Sequence, residues 1–427
     1  MKKLLLIPLV VLRQRRKILA ILLVIVLFPI HTCSVPSGAQ STIRTVAFLD
    51  FKPAIPLSVM DESTTSDAVT ETTSQPIQTA AGREDDQATI GFGNDEIPYI
   101  ESNGAENLEN TTPQGIEVST PDSIKITLSF VGDCTIGDDE KYTWNTFDEV
   151  YKKVKDPSYF FQGVKSIFAY DDFTLINFEG TFTKATKKAV KQYRFKGDPS
   201  YIDILLKGSI EGVTLANNHS LDYLEKGFED TVQTLNKAQI AYTYFDTYFV
   251  KNIKGLKIGF LGYKGWEHEK KSNDLLVKHV KELREQGVNY IVASYHWGDQ
   301  NSYKPNALQK RMAHFAIDNG VDLVIGHHPH VLQGLEVYKN KNIVYSLGNF
   351  CFGGAPNPKD KDTIIYQHVI VFDDQKQSII DTEYKIIPAR VSAENGRNNY
   401  QPIIVSGEEE KRILDKYNTI SQGLSKK

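Results

Sequence analysis

The sequence predicts an α/β fold from three observations. Apolar runs with the two-residue period of a strand alternate with amphipathic helical runs from about residue 123 onward. Polar residues recur directly after these apolar strands, which is typical of a site at the carboxyl edge of a sheet. Two long strand candidates follow one another near the end of the chain. This late run of strands indicates a mixed sheet, or two sheets.

The first predicted strand is SIKITLSFVGD, in which every second residue from Ile124 to Phe130 is apolar. Pro199 opens a later helix, PSYIDILLKGS, and a glycine ends two of the helices that follow. The predicted strands are, in order, SIKITLSFVGD, DDFTLINFEG, GVTLANNHS, KGLKIGFLGY, VNYIVASYHWGD and VDLVIGHHPH. The predicted helices between them are FDEVYKKV, PSYIDILLKGS, LEKGFEDTVQTLNKAQ, DLLVKHVKELREQG and ALQKRMAHFAIDNG.

The predicted domain spans residues 123–402. Its last part is richer in strands than the rest. LEVYKNKNIVYSLGNF predicts a hairpin that turns at residues 340–342, and two long strands follow in TIIYQHVIVFD and QSIIDTEYKIIPARV. Residues 403–427 predict a separate helical tail.

The composition excludes several classes of protein. The chain has 427 residues, a net charge of −4 and three cysteines. The charge leaves no general basic surface for nucleic acid, so no nucleic-acid partner is expected. Three cysteines without a CxxC pair exclude a disulfide-rich scaffold and a zinc ribbon.

The N-terminus, residues 1–34, predicts a signal anchor. The apolar run Ile18–Ile30 follows a basic cluster that ends at Lys17, which holds the N-terminus in the cytoplasm. We expect an uncleaved, single-pass anchor in the cell membrane with the C-terminal domain on the extracytoplasmic side. A cleaved signal peptide is the alternative, because the run is shorter than the roughly 20 residues of a full span.

Residues 35–122 predict a disordered, acidic spacer that is rich in serine and threonine. Residues 53–122 contain fourteen Asp or Glu, sixteen Ser or Thr, two aromatics and one basic residue, Arg83. Such a segment cannot bury enough apolar surface to offset the entropy lost on ordering. We therefore expect a tether that holds the downstream domain away from a membrane.

Six polar motifs at six strand ends predict a common site. In α/β sheets the carboxyl ends of the strands meet at one crevice, so residues far apart in the chain can converge there. Carboxylate, carboxamide and imidazole groups together suit one or two divalent ions of Mn, Fe or Zn better than Ca or Mg. The residues are Asp133, Glu179, Asn218 with His219, His296, His328 with His330, and Asn349.

These same segments resemble a known family. FVGDCTIG, INFEG, LANNHSLDY, YHWGDQ, GHHPHVLQG and YSLGNFCFGG are similar to the signature segments of the CapA family of poly-γ-glutamate capsule synthesis proteins. That family is a branch of the calcineurin-like metallophosphatase superfamily. The resemblance covers about Ile124–Pro402 and implies a four-layer αββα sandwich of metallophosphatase type, with the site at the strand ends. It also implies an externally exposed domain beside membrane-embedded synthase subunits.

The resemblance also implies roles for individual residues. Asp133 and His330 would bind a first metal ion, Glu179 would bridge to a second, and His219 would be the general acid. The second ion would be bound by Asn218, His296 and His328, and His327 would have no ligand role. One feature departs from the superfamily: the run Asp133-Cys134-Thr135 lacks the histidine of the Asp-x-His motif, so the first ion loses an imidazole ligand.

Two classes of function remain open at this point. One is a metal-dependent hydrolase acting on a phosphoester or on the γ-amide of polyglutamate; a surface phosphoesterase unrelated to capsule is a variant of it. The other is a non-catalytic subunit that binds an anionic polymer such as poly-γ-glutamate beside a membrane synthase. For the substrate we expect contacts from Asn217, Arg194 and Asn349. The lack of a GxSxG motif argues against a serine hydrolase.

Two cysteines lie next to site residues. Cys134 follows Asp133, and Cys351 comes two residues after Asn349. If their strands are neighbours, either a disulfide in an oxidising exterior or two buried free thiols is expected. A thiolate ligand from Cys134 is a third option.

Overall fold

The computed structural model describes residues 123–265 and 269–425. The predicted signal anchor, residues 1–34, and the predicted spacer, residues 35–122, lie outside the described residues. Within the described ranges, every helix is too short or too polar to cross a membrane.

Strands and helices alternate through the first two thirds of the described chain, and strands dominate afterwards. The strands are β1 Ser123–Thr135, β2 Asp138–Asp139, β3 Phe173–Phe178, β4 Thr181–Phe182, β5 Phe195–Gly197, β6 Gly212–Thr214, β7 Ala241–Thr243, β8 Phe249–Ile253, β9 Leu256–Gly265, β10 Tyr290–Trp297, β11 Leu323–His327, β12 Leu332–Tyr338, β13 Lys341–Leu347, β14 Asn349–Phe352, β15 Asp362–Asp373, β16 Ser378–Arg390 and β17 Ile403–Ile404. The helices are α1 Phe147–Val154, α2 Lys165–Phe168, α3 Ile202–Lys207, α4 Leu224–Lys237, α5 Glu269–Glu285, α6 Ala307–Asp318 and α7 Gly407–Ser421, with 3₁₀ turns at Pro157–Phe161 and Pro199–Tyr201.

The strands form two large mixed sheets and one small sheet. The first sheet has the order β17-β16-β15-β1-β3-β6-β7, with β14 paired to β1, and the second has the order β12-β13-β11-β10-β9-β8. Strands β1, β3, β6 and β7 are parallel, whereas β15 and β16 run antiparallel to their neighbours. Strands β9, β10, β11 and β13 are parallel. The predicted mixed α/β architecture is confirmed.

Helices cover the outer face of each large sheet, and the two sheets share a core. Along β1, Phe130 belongs to the core between the sheets, whereas the next residue, Val131, packs into the core under the helices of the first sheet. This two-residue period is what the sequence pattern predicted. A third core packs α5 and α6 against the second sheet through residues such as Leu276 and Met312. The layers are therefore helix, sheet, sheet and helix.

Three predicted elements differ in detail from the structure. The hairpin turns at Lys339 and Asn340 rather than at 340–342, because both residues have positive φ, 51° and 59°, as a tight two-residue turn requires. Helix α5 includes residues 269–273, which precede the predicted DLLVKHVKELREQG. The predicted C-terminal tail is part of the domain: Ile413 and Tyr417 of α7 are buried in the core between the sheets.

Candidate metal centre

The site lies where the carboxyl ends of strands from both large sheets meet. In the first sheet, Asp133 at the end of β1 pairs with Asn177 of the parallel strand β3. In the second sheet, His296 of β10 pairs with His327 of β11. A close approach fixes the end of β1, because a Cβ at Gly132 would lie 2.0 Å from the carbonyl oxygen of Gly348.

One group of donor atoms joins Asp133, Glu179 and His330. His330 Nδ1 lies 3.0 Å from Asp133 Oδ2 and 4.0 Å from Glu179 Oε2. One ligand atom from each of the three residues lies within 4.8 Å of the others. This group is the set that the resemblance implies for a first metal ion.

A second group joins Glu179, His296 and His328. His296 Nε2 lies 3.5 Å from Glu179 Oε1 and 3.1 Å from His328 Nδ1. The Asn218 Oδ1 atom is 2.9 Å from the same His296 nitrogen. Because Glu179 belongs to both groups through different oxygens, its carboxylate stands between them, where a bridging ligand is needed.

The Glu179 carboxylate is the clearest indication that a cation belongs here. It is fully buried, and neither of its oxygens has a hydrogen-bond partner among the described residues. Burial raises its pKa from 4.5 to about 7. A buried carboxylate without a hydrogen-bond donor is costly, and a divalent ion would satisfy its oxygens. The residues present therefore fit a divalent metal.

The imidazoles of the second group are ready to act as ligands. Burial lowers the pKa of His296 well below its usual range, and burial followed by the charge of His296 lowers that of His328 to about 2. Both rings are therefore neutral near pH 7, which is the form in which an imidazole binds a metal ion.

His330 differs from the other two imidazoles. Burial opposes its charge, but Glu179 and Asp133 together raise its pKa to about 9. The contact with His330 also changes the pKa of Asp133. Burial opposes ionisation of this carboxyl, but the hydrogen bond and the charge of His330 hold its pKa below the ordinary range. Without a cation, His330 holds a proton at neutral pH, and metal binding must displace that proton.

His219 is held beside the two groups by Asp222. Its Nδ1 lies 2.7 Å from Asp222 Oδ2, and its Nε2 lies 3.6 Å from Glu179 Oε1. The ring stacks on Phe195 with centroids 4.1 Å apart. Sequence reasoning found His219 but missed Asp222; its signal was a carboxylate three residues after the histidine, a spacing that permits a local contact.

Asn177 is a second residue that sequence reasoning missed. Its Nδ2 donates to Asp133 Oδ1 at 2.7 Å and lies 3.2 Å from His296 Nδ1, so it holds one residue of each sheet. Its signal was its position one residue before the end of an apolar strand.

Asn217 and Asn349, two of the expected substrate contacts, both lie against histidines of the site. Asn217 is buried: its amide donates to the Phe178 carbonyl at 2.8 Å, and its Oδ1 accepts from the His219 backbone N–H at 3.0 Å. Asn349 is also buried, with its Oδ1 3.0 Å from His330 Nδ1. Both side chains are occupied in positioning site histidines.

Arg194, the third expected substrate contact, is held by partners within the chain. Its guanidinium pairs with Glu140 and donates to the backbone carbonyls of Ala189 and Lys191. These contacts hold the loop on which Arg194 lies.

The three histidines of GHHPH have three different environments. His327 is buried, 3.8 Å from Asp133 Oδ1, and burial lowers its pKa to about 4. His328 and His330 have positive φ, 97° and 57°, an uncommon conformation for non-glycine residues. Local strain of this kind occurs at functional sites, and here it turns both imidazoles toward Glu179.

Positions 134, 135 and 351 lie beneath the site. Cys134 and Cys351 are both buried free thiols, so the disulfide alternative is not formed. The Cys351 thiol donates a hydrogen bond to the carbonyl oxygen of Tyr400, with a distance of 3.5 Å between sulfur and oxygen. Burial raises the Cys134 pKa far above its usual range, which disfavours a thiolate ligand. Thr135 is buried at the position of the missing histidine.

The fold and the site together define a class of protein. It is an α/β sandwich with two groups of candidate metal-binding side chains that share one carboxylate. The family model for bacterial capsule synthesis protein PGA_cap matches residues 127–354, more than half of the chain. The chain therefore belongs to the PGA_cap family of bacterial capsule synthesis proteins, and the predicted family resemblance is confirmed.

Two relatives cover similar parts of the chain. The capsule biosynthesis protein CapA of Bacillus anthracis is 29% identical over 269 residues, and the aligned part covers 57% of this chain and 64% of that protein. The PGA biosynthesis protein CapA of Bacillus subtilis is 30% identical over 273 residues, covering 58% of this chain and 70% of that protein. The chain thus spans slightly under two thirds of the first relative.

Two solved structures align more distantly. A hypothetical protein from Thermus thermophilus aligns with a TM-score of 0.39 and 13% identity, covering 62% of this chain and 99% of that one. A crystal structure described as a novel phosphatase from Mycoplasma pneumoniae aligns with a TM-score of 0.38 and 14% identity, covering 68% and 97%.

Proposed function

We propose that this protein acts in the synthesis or export of poly-γ-glutamate or a similar anionic capsule polymer, as a metal-dependent hydrolase of metallophosphatase type. The observation that carries the proposal is Glu179, a buried carboxylate without a hydrogen-bond partner among the described residues, placed between two sets of ligand atoms. The family and the printed names of the Bacillus relatives support the link to capsule and PGA biosynthesis.

In this proposal the ligands form two sets, and the distances between their donor atoms define the two sets. Asp133, Glu179 and His330 would hold one ion, and Glu179, His296, His328 and Asn218 would hold the other. The mixed O and N donors favour Mn, Fe or Zn. When bound, such ions would supply positive charge that polarises a phosphoester or amide and makes water a stronger acid.

The chain's own residues supply proton transfer and orientation. Asp222 accepts a hydrogen bond from His219 Nδ1, which leaves Nε2 directed toward the Glu179 side of the site. We propose that His219 donates the Nε2 proton to the leaving group, with Asp222 stabilising the charged ring in the state before donation. Phe195 covers one face of the ring and excludes water from it.

The test starts from metal content and hydrolysis. Purified protein should contain divalent metal by elemental analysis and hydrolyse a chromogenic phosphoester, and chelation should abolish the hydrolysis. The double variant Asn218→Ala, His328→Ala should lose metal and activity. A matched control is Glu336→Gln, because Glu336 is a buried carboxylate outside the site whose oxygens contact His314 and Tyr345. Full polymer-related activity in the double variant would sink the metalloenzyme proposal.

A non-catalytic role is the second candidate, and Thr135 favours it. A buried threonine where the superfamily has histidine leaves the Asp133 group with three ligand residues, which weakens that ion's site. In this case the protein would bind metal in the Glu179–His296–His328 group and bind polymer, but it would hydrolyse neither phosphoesters nor γ-amides. Thr135→His should then raise the metal content toward two ions per chain.

We also propose that residues 1–34 anchor the protein in the membrane with the domain outside. The support is the order of basic cluster and apolar run in the sequence. Protease added to intact cells should remove the domain from a full-length chain. A domain that is protected in intact cells and released only on lysis contradicts the proposed orientation.

A further inference from the structure

A basic loop borders the candidate metal centre. Residues 184–196, which follow β4 and run into the start of β5, contain six Lys or Arg and no Asp or Glu, although the whole chain has a net charge of −4. Acidic groups from outside the loop neutralise only part of this charge. The six cations are Lys184, Lys187, Lys188, Lys191, Arg194 and Lys196.

The base of the loop is bound directly to the residues around His219. Lys191 Nζ donates to Asp222 Oδ1 and to the Asn218 carbonyl, each at 2.7 Å. The Ala189 backbone N–H donates to the Asp222 carbonyl at 2.9 Å. Phe195, at the other end of the loop, stacks on His219. A molecule that lies on this loop therefore lies next to the site.

Five of the six cations divide into an inner pair and an outer set, and the sixth, Lys196, donates to the Ala185 carbonyl. Lys191 and Arg194 are turned inward, with side chains 26% and 18% exposed, and they hold the loop in place. Lys184, Lys187 and Lys188 face solvent. Lys184 is 3.6 Å from Asp198, and Lys188 shares the single carboxylate of Glu140 with Arg194, so the outer set keeps an excess of positive charge.

We propose that Lys184, Lys187 and Lys188 form a binding surface for a linear polyanion, which they hold beside the candidate metal centre. This inference rests on the proposed function of that site. Exposed cations spaced along a loop attract a chain of repeated charges, whereas a single small anion would need a fixed, buried cradle. The shared ligand chemistry is a polymer of carboxylates or phosphates. A membrane surface is disfavoured because the loop exposes one large apolar residue, Val190, where interfacial binding needs an apolar face.

The experiment compares two triple variants of the full-length chain. The test variant is Lys184→Gln, Lys187→Gln, Lys188→Gln. The matched control removes three exposed lysines of α5 in the layer on the other sheet: Lys270→Gln, Lys278→Gln, Lys281→Gln. The probes are labelled poly-γ-glutamate, polyphosphate, neutral dextran, and vesicles of phosphatidylcholine with and without phosphatidylserine. Metal content and chromogenic phosphoester hydrolysis are measured on the same preparations.

The test variant should bind poly-γ-glutamate or polyphosphate roughly tenfold or more weakly, as expected for three exposed charge contacts, and its binding should depend less on salt. The control variant should bind like wild type, and both variants should keep metal and phosphoester hydrolysis. Comparing the two polymers decides between carboxylate and phosphate chains.

Three outcomes would overturn the inference: unchanged polymer binding in the test variant, an equal loss in the control, or loss of binding to anionic vesicles alone. Failure of the proposed function is a separate result. It would show as wild-type protein without metal or hydrolysis, whether or not the lysines matter for polymer binding.

Discussion

Replacing Glu179 with glutamine should stabilise the metal-free protein and destabilise the metal-bound protein. In the metal-free state the Glu179 carboxylate is buried without a hydrogen-bond partner among the described residues, and its pKa is raised from 4.5 to about 7. In an unfolded chain this group loses its proton near pH 4.5. As pH rises from 4.5 to about 7, the unfolded state therefore becomes ionised first, and the folded state loses stability.

The size of this effect follows from the same values. The interval between 4.5 and about 7, at about 1.4 kcal/mol per pH unit, amounts to about 3 kcal/mol at pH 8. Glutamine removes this penalty but also removes an attraction that keeps His330 protonated, since Glu179 is a main cause of the raised His330 pKa. We therefore expect a net gain of about 1–3 kcal/mol for metal-free Glu179→Gln at pH 8, and little difference near pH 4.

Bound metal should reverse the order of stability, so that wild type becomes more stable than Glu179→Gln. A ligand at a hundred times its dissociation constant stabilises the folded protein by about 2.7 kcal/mol. Wild type should gain that stabilisation, and Glu179→Gln should gain less because it lacks the carboxylate common to both ligand groups. Urea unfolding midpoints at pH 4 and pH 8, with EDTA or with Mn²⁺, measure all these terms. A Glu179→Gln protein that is less stable than wild type in EDTA at pH 8 would refute the reasoning.

Three further predictions follow from the same structure. Asp222→Asn should lower phosphoester hydrolysis by a factor on the order of 10²–10⁴ with unchanged metal content, because it releases His219 from its orientation; loss of metal in this variant contradicts the assignment. Metal titration at pH 8 should release about one proton per chain, chiefly from His330, whose pKa is raised to about 9, because Glu179 with its pKa of about 7 is mostly ionised at that pH; calorimetry in buffers of different ionisation enthalpy measures it, and undiminished release at pH 10 excludes His330 as the source. In a Cys33→Ser chain, a thiol reagent should titrate two cysteines only after unfolding, because Cys134 and Cys351 are buried and free; fewer than two would mean a disulfide.

Much of the candidate site could be predicted because of where its residues stand in the sequence. Asp133, Glu179, His296 and His328 each lie at or just after the end of a short apolar strand, and parallel strands bring such ends to one edge. That rule needs no knowledge of which strands are neighbours. It identified the residues of both ligand groups, and the structure brings them within a few ångströms of one another.

The position of a residue at a strand end does not give the local contacts of its side chain. Arg194 has the charge of a substrate-binding residue, but its guanidinium is directed to Glu140. Asn217 and Asn349 have the right chemistry at the right edge, yet their amides are occupied by neighbouring backbone and imidazole groups. Asp222 contacts His219 at 2.7 Å, although it belongs to no strand-end motif.

The sequence by itself determined the α/β class, the order of most elements and the set of side chains able to bind metal, because these depend on periodicity and on residue type. The tertiary structure alone decided that Glu179 stands between the two groups, that His330 is protonated where His328 is neutral, and that one end of the basic loop lies against His219 through Phe195. These properties depend on distances and burial between residues remote in the chain. Such distances are set by the packing of two sheets against each other, which no local pattern encodes.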